Sequence, residues 1–418
     1  MGNEVYAVID LKSFYASCEC AARGLDIFST PLVVADKSRS VNSIVMSVTP
    51  FLKQRYLVPN VCRIGDLPNV PRMIYAKPRM SYYLEMSAKI VSLFLDYVAE
   101  EDLHVYSIDE SFLRITPYLK LHNCDAMGFV AKIQKEIMDR YGLVATAGLG
   151  PNMFLAKACL DNEGKKKPPY RAYWGEEDVK EKLWRIQPLT KVWGIAKGIS
   201  TRLSKRGIRS LEALAKSSPE MLQEEFGVIG LDLHDMANGI DRTDIRQKYV
   251  PKERSLTQGQ VLMKDYSAEE ALLVIKEIVD ELCVRLRQGN EVTGCVSLFI
   301  GYSSTSLGGG FNRQCSLNLP TDDNDLLFEA VRDLFYRHKD DKLIRNISIA
   351  FGKLRPYNGY RQQSLLEDEG ELMEKRALRQ AMDRITLSYG RNAVLRASAL
   401  LSNSTVIARH GMIGGHAA

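Results

Sequence analysis

The chain has 418 residues, 45% hydrophobic and 26% charged, proportions of a globular protein that exclude a disordered or fibrous one. Its length predicts roughly three domains, and its net charge of +5, from 56 Lys+Arg against 51 Asp+Glu, excludes a nucleic-acid coat and requires any polyanion partner to be met locally. No uncharged apolar run of membrane-spanning length occurs, and the first residues lack the basic and apolar pattern of a leader, so a cytoplasmic chain with no membrane partner is expected. The eight cysteines are scattered without a Cys-x-x-Cys pair and read as small core residues of a reducing compartment, not as zinc ligands or disulfides.

In chain order, Val5 to Ile9 is an apolar run suited to a strand buried on both faces, ending at Asp10. Helical periodicity covers Ser81 to Ala99 and Asp125 to Tyr141, the second with Asp125 as N-cap and Gly142 as stop. Between these helices Val105 to Ile108 reads as a second strand, ending at Asp109 and Glu110, and Leu143 to Leu149 reads as a third. Alternating strands and helices predict an α+β or α/β core. From Lys180 to Lys216 ten basic residues meet two acids, a net +8, in short helical pieces broken by Gly194, Gly198, Gly207 and Pro219. A third unit follows, with a helix at Ala268 to Arg287, strands at Val292 to Tyr302 and Phe311 to Leu319, a helix at Asp325 to His338 and a strand at Ile344 to Phe351. The residues beyond Arg361 form a charged tail with one helical segment, Glu371 to Leu387.

The chemistry is suggested by Asp10, Asp109 and Glu110. Acids at strand ends are commonly caps or turn residues. If the two strands are neighbours, however, three carboxylates converge with no histidine or thiolate beside them in sequence, an all-oxygen set that suits Mg2+. Ile9 to Glu19 reads Ile-Asp-Leu-Lys-Ser-Phe-Tyr-Ala-Ser-Cys-Glu, and Tyr106 to Phe112 reads Tyr-Ser-Ile-Asp-Glu-Ser-Phe. This pair of motifs resembles the Y-family translesion DNA polymerases, in particular their UmuC-like (ImpB/MucB/SamB) bacterial branch with its UvrX-like proteins, over nearly the whole chain.

The resemblance implies a multidomain α+β right-hand polymerase: a ferredoxin-like palm (1–27 and 80–178), small fingers (28–79), a helical, helix-hairpin-helix thumb (179–245), an α/β little finger (252–360) and a C-terminal tail (361–418). It implies DNA-directed DNA synthesis in damage tolerance, with Asp10, Asp109, Glu110 and the carbonyl of Leu11 holding two Mg2+ ions. Tyr15 falls on the family's steric gate against ribose, with Phe14 beside it supporting the nucleotide. Ser47 to Lys53 resembles the triphosphate-gripping segment, with Lys53 as its basic residue and Pro50 where many relatives place a tyrosine. Gly148 to Lys157 resembles a further motif, after which the family has a triphosphate lysine. The spacing lands on Gly164, and Lys165, one residue on, is assigned. Lys12 stands where many relatives have a second acid. No residue stands out as a general base.

Within the basic segment, Val192 to Gly198 resembles a helix-hairpin-helix, with Gly194, Lys197 and Gly198 as DNA-phosphate contacts and Ala196 at the usual second glycine; a plain tight turn is the alternative. In the little finger the candidate DNA contacts are Arg254, Arg313, Lys353 and Arg355, interleaved with Tyr357 and Tyr360. Gln362-Gln363-Ser364-Leu365-Leu366 resembles a sliding-clamp motif, with Gln362, Ser364, Leu365 and Leu366 as contacts. The expected partners are primer–template DNA, deoxynucleoside triphosphates, a bacterial sliding clamp and accessory SOS proteins. Two other readings remain at this point: a nucleotidyl cyclase, which has no use for the basic segment, and a catalytically idle DNA-binding repair protein, against which the intact acids argue.

Overall fold

The structure, a computed structural model, describes residues 4–357 and 369–418. The chain divides into two units, Met1–Lys248 and Tyr249–Ala418.

The first unit opens with β1 (Tyr6–Leu11), whose residues Tyr6 to Ile9 are all buried because the strand lies in the middle of a five-stranded sheet. Helix α1 (Phe14–Ala21) follows directly. The chain then makes a small layer of β2 (Leu32–Val34), β3 (Ile44–Val45), β4 (Ser47–Val48), α2 (Pro50–Arg55), β5 (Cys62–Arg63) and β6 (Ile74–Ala76). Strands β4, β2 and β6 pair in that order, β3 pairs with β5, and Val33, Val48 and Leu52 are among the side chains that fill the layer's core.

The chain returns through α3 (Met80–Leu95) to β7 (Leu103–Val105), β8 (Glu110–Arg114), α4 (Ala126–Tyr141), β9 (Ala145–Gly150), α5 (Met153–Cys159) and β10 (Arg171–Tyr173). The large sheet has the order β10-β9-β1-β8-β7, with β1 antiparallel to both neighbours. Asp125 caps α4 by accepting from the Gly128 amide, and Gly142, at φ 66°, ends it, as the sequence predicts. A Cβ added to Gly148 on β9 would stand 2.2 Å from the Leu160 nitrogen, so the segment that begins with α5 rests directly on the strand.

One expectation is corrected. Val105 to Ile108 is not a continuous strand: β7 ends at Val105, residues 106–109 form the bend, and β8 begins at Glu110. Val105 and Tyr106 are about half exposed, whereas Phe112 and Leu113 are buried, so the buried run lies after the acids.

The rest of this unit is helical: α6 (Asp178–Glu181), α7 (Lys197–Lys205), α8 (Leu211–Ala215), α9 (Pro219–Phe226) and α10 (Val228–Ala237), packed around Leu183, Leu203, Leu214, Leu222 and Leu233. Two of the expected breakers do not break a helix. Gly198 lies inside α7, and Pro219 opens α9, where a missing N–H costs no intrahelical bond.

The second unit contains β11 (Leu256–Tyr266), α11 (Ala268–Gln288), β12 (Glu291–Tyr302), β13 (Gly310–Thr321), α12 (Asn324–His338) and β14 (Ile344–Pro356), with sheet order β11-β14-β12-β13. Strand β11 escapes the apolar pattern because it is an edge strand with one fully buried residue, Leu262, before its last, Tyr266. Inward residues of β12 and β14 pack against α11 and α12 in one core.

The tail is built onto this unit. Helix α13 (Glu369–Tyr389) is followed by α14 (Val406–His410) and the pair β15 (Met412–Ile413) and β16 (His416–Ala417). Its arginines answer acids of the α/β core: Arg379 meets Asp323 at 2.5 Å, Arg396 meets Asp280 at 2.7 Å, and buried Arg409 meets Glu281 at 2.7 Å and Glu277 at 3.6 Å. Glu277 is itself buried and accepts from the Ser404 hydroxyl at 2.6 Å. Arg409→Ala strips partners from two carboxylates in poor solvent and is expected to cost the second unit about 2 kcal/mol in a urea titration. A loss below about 0.5 kcal/mol, the ordinary surface value, would show that the tail is not held by this residue.

Candidate active site

Antiparallel pairing sets Asp10, near the end of β1, directly opposite Glu110, the first residue of β8. The amide of Leu11 donates to the carbonyl of Asp109 at 2.9 Å, which brings Asp109 to the same end of the sheet from the bend before β8. The two neighbouring carboxylates are compensated by two lysines. Lys165 Nζ stands 3.0 Å from Asp10 Oδ2, and Lys157 Nζ stands 2.8 Å from Glu110 Oε2. Asp161 joins the pairs, 3.1 Å from each ammonium.

Burial raises the carboxyl pKa of Asp10 against the pull of Lys165, and burial raises that of Glu110 against its bond from Lys157. Burial also acts against the Lys165 ammonium, but Asp10 and Asp161 outweigh it and keep Lys165 charged. Asp109 is half-buried and accepts from the Ser107 hydroxyl at 2.7 Å. One oxygen, Glu110 Oε1, is buried with no hydrogen-bond partner. A partnerless carboxylate oxygen away from water costs about 1–3 kcal/mol, and a hard cation is the kind of group that removes that cost. Among the described residues no three His, Cys, Asp or Glu side chains are already gathered as a metal cluster; the donor chemistry fits a divalent cation, while lysines neutralise the acids.

A cleft of about 430 Å³ opens beside these acids, with Asp10, Leu11, Phe14, Tyr15, Lys53, Asp109 and Lys165 on its walls. Seven of the predicted site residues are thus brought together. Glu110 is not on the wall and stays with Lys157. Phe14 is buried and Tyr15 half-buried at the start of α1, where Ser13, at φ 50°, turns the chain out of β1. Pro50 occupies the first turn of α2 and Lys53 its last. Lys12 also lines the cleft, donating to the carbonyl of Lys165 at 2.9 Å and lying 4.5 Å from the centre of the Tyr170 ring. Burial lowers the pKa of both Lys12 and Lys53.

The backbone explains the displaced lysine. After α5 the chain widens into one turn of π-helix, Leu160–Gly164, in which the Lys165 amide reaches back to the carbonyl of Leu160 at 3.0 Å. This wider turn absorbs one extra residue and brings Lys165 onto Asp10. Gly164 permits it, because a Cβ there would fall 2.2 Å from the carbonyl oxygen of Ala147. Sequence reasoning missed Lys157 and Asp161 as partners of the acids. Their signal was the four-residue spacing of Lys157, Asp161 and Lys165, which places alternating charges on one helical face.

The remaining predicted residues lie elsewhere. Gly194 turns the chain at φ 89°, and Lys197 and Gly198 open α7; none of the three lines the cleft. In the second unit Arg254 pairs with Glu291 at 2.9 Å, Arg313 is exposed on edge strand β13 and donates to the Asn312 carbonyl, and Arg355 is exposed on β14. Lys353 donates to the Ser316 hydroxyl, and Tyr357 lies under the Arg376 guanidinium at 3.4 Å. Tyr360, Gln362, Ser364, Leu365 and Leu366 lie outside the described residues.

A sheet that gathers carboxylates at one end, a small layer and a helical cluster in the same unit, and a separate α/β unit later in the chain together define the architecture of a Y-family DNA polymerase. A solved Y-family DNA polymerase chimera aligns with a TM-score of 0.67 over 84% of this chain and 99% of its own, at 20% identity, a likeness of fold. At the level of sequence, residues 9–161 match the impB/mucB/samB family and residues 253–365 match that family's C-terminal domain. The chain is 35% identical to the UV-damage repair protein UvrX of Bacillus subtilis, over 98% of this chain and 96% of that one. It is 29% identical to DNA polymerase IV 2 of the same organism, over 100% and 99%. The chain belongs to the impB/mucB/samB family, and the resemblance read from its two acidic motifs is borne out.

The π turn can be tested by itself. Gly164→Ala, which forces a Cβ into the Ala147 carbonyl, is expected to lower the unfolding free energy of the first unit by about 2 kcal/mol or more. Gly198→Ala, with no atom within 4 Å of its new Cβ, should change stability by less than about 0.5 kcal/mol. Equal losses in denaturant titrations would contradict the close packing of the turn.

Proposed function

We propose that this chain, a translesion-type DNA-directed DNA polymerase by family and fold, extends a primer with deoxynucleotides at the end of β1 and β8. In this reading Asp10, Asp109, Glu110 and the backbone carbonyl of Leu11 hold two Mg2+ ions. The observation that carries it is the buried, partnerless Oε1 of Glu110 in register with Asp10. When bound, two such ions would stabilise charge on the attacking and leaving oxygens of an in-line displacement.

The chain's own residues supply the rest. Lys53 and Lys165, with Lys12 beside them on the same wall, make a low-dielectric pocket of positive charge suited to a triphosphate. In this reading Tyr15 would collide with a ribose 2′-hydroxyl, and Phe14, its ring centre 5.6 Å from that of Tyr15, supports the nucleotide. By this assignment residues 1–27 and 80–178 are the palm, 28–79 the fingers, 179–245 the thumb, 252–360 the little finger and 361–418 the tail. Gly194, Lys197 and Gly198 would meet DNA phosphates through the thumb, and Arg254, Arg313 and Arg355 through the little finger, Arg254 after leaving Glu291. Such contacts read no sequence and weaken steeply with salt. A nucleotidyl cyclase and an idle relative are not favoured in a family whose relatives include DNA polymerase IV. No helix of the described residues is long and apolar enough to cross a membrane.

Asp109→Ala and Glu110→Ala are each expected to reduce Mg2+-dependent primer extension by at least about 10³-fold, with primer–template affinity by fluorescence anisotropy changed little. Extension retained by either variant would remove that residue from the metal site. Residues 362–366 are proposed as the sliding-clamp contact. A chain ending at Arg361 also loses the tail, so the sharper variant is Gln362→Ala with Leu365→Ala. It should lose stimulation by a bacterial clamp while extending short templates as before, and equal stimulation would dismiss the motif.

A further inference from the structure

Glu19 is a fully buried carboxylate that has no part in the chemistry above. It lies one helical turn after Tyr15 on α1, and its side chain has no solvent exposure. Three side chains converge on it. Arg79, which precedes α3, donates from Nε to Oε1 at 2.9 Å and from Nη2 to Oε2 at 3.0 Å. Arg23 closes on the other side, and the hydroxyl of Tyr83, in the first turn of α3, donates to Oε1 at 2.8 Å. A buried charge satisfied by a two-pronged arginine and a phenol makes a stiff cluster: the two guanidinium groups reach solvent, but withdrawing any donor leaves the buried Glu19 carboxylate short of a partner away from water.

The cluster meets the cleft through Tyr15. The ring of Tyr83, also without solvent exposure, is 4.9 Å from the ring of Tyr15, tilted by 41°. Tyr15 therefore lines the cleft and also touches a fully buried, hydrogen-bonded ring that does not line it. A wall excludes a hydroxyl group only as well as its backing resists displacement. Shape rejection by a yielding pocket is weak, and close packing is what turns a small steric excess into discrimination.

We infer that Tyr83, pinned by Glu19, is a positioning residue for sugar selection: it backs Tyr15 so that the ring cannot withdraw from a ribose 2′-hydroxyl. The inference rests on the reading of Tyr15 as the sugar gate. Neither Tyr83 nor Glu19 touches substrate, and their effect passes through the Tyr15 ring.

The test compares kcat/KM for a deoxynucleotide and the matching ribonucleotide on one primer–template, for the unaltered chain, Tyr15→Ala, Tyr83→Leu, Tyr83→Phe and Glu19→Gln. Tyr83→Leu removes the backing ring and is expected to lower the deoxy-to-ribo ratio by about tenfold, chiefly by raising ribonucleotide use. Tyr83→Phe keeps the ring and loses the pin, and should lower the ratio by about threefold, as should Glu19→Gln. A Tyr83→Leu enzyme that slows on both sugars alike, leaving the ratio unchanged, would overturn the inference and make Tyr83 a core residue only. Where Tyr83→Leu does not fold, an unchanged ratio in both Tyr83→Phe and Glu19→Gln overturns it equally. An unchanged ratio in Tyr15→Ala would instead sink the gate itself.

Discussion

The first unit depends on keeping two carboxylates side by side. Residues opposite each other in an antiparallel pair have Cβ atoms about 5 Å apart, and two ionised groups at that distance repel by about 3 kcal/mol at an effective dielectric near 20. The register of β1 and β8 imposes this adjacency on Asp10 and Glu110. Lys157 and Lys165 offset it, both arriving on the chain that runs from α5 across β9. For the two ammonium groups to reach the sheet end, that chain must lie against the strand. Gly148 and Gly164, where any Cβ would strike backbone atoms, are consequences of that electrostatic demand.

The same economy recurs around α1 and in the second unit. Glu19 is buried only because two arginines and a tyrosine enclose it. Glu277 on α11 is buried only because Ser404, Thr405 and Arg409 of the tail cover it. In each case the acid alone would destabilise the fold, and the satisfied cluster gives the packing a single arrangement. The cluster at Tyr15 and the one under the tail thus convert desolvation cost into rigidity, one beside the cleft and the other between α11 and the tail.

Legibility varied with the kind of signal. The helix over Ala126–Tyr141 was readable at both ends, because its cap and stop act through neighbours in sequence. The bend holding Asp109 is not legible as one, because Tyr106 and Ile108 carry strand-forming side chains although β7 ends at Val105. Edge strand β11 was invisible for the opposite reason: a strand paired along one side needs few apolar residues. Lys165 was reached one residue off the expected spacing, since a helical repeat read from sequence contains no π turn.

By itself the sequence determined the family and singled out seven of the residues that border the cleft, because motif chemistry requires particular side chains at particular positions along the chain. Only the tertiary structure decided how those charges are balanced. It sets Lys157 and Asp161 among the acids, keeps Glu110 off the cleft wall with a partnerless oxygen, puts Tyr83 against Tyr15 and folds the tail against α11. These pairings join residues far apart in the chain. Their energies come from burial and from the surrounding dielectric, and neither exists until the chain has packed.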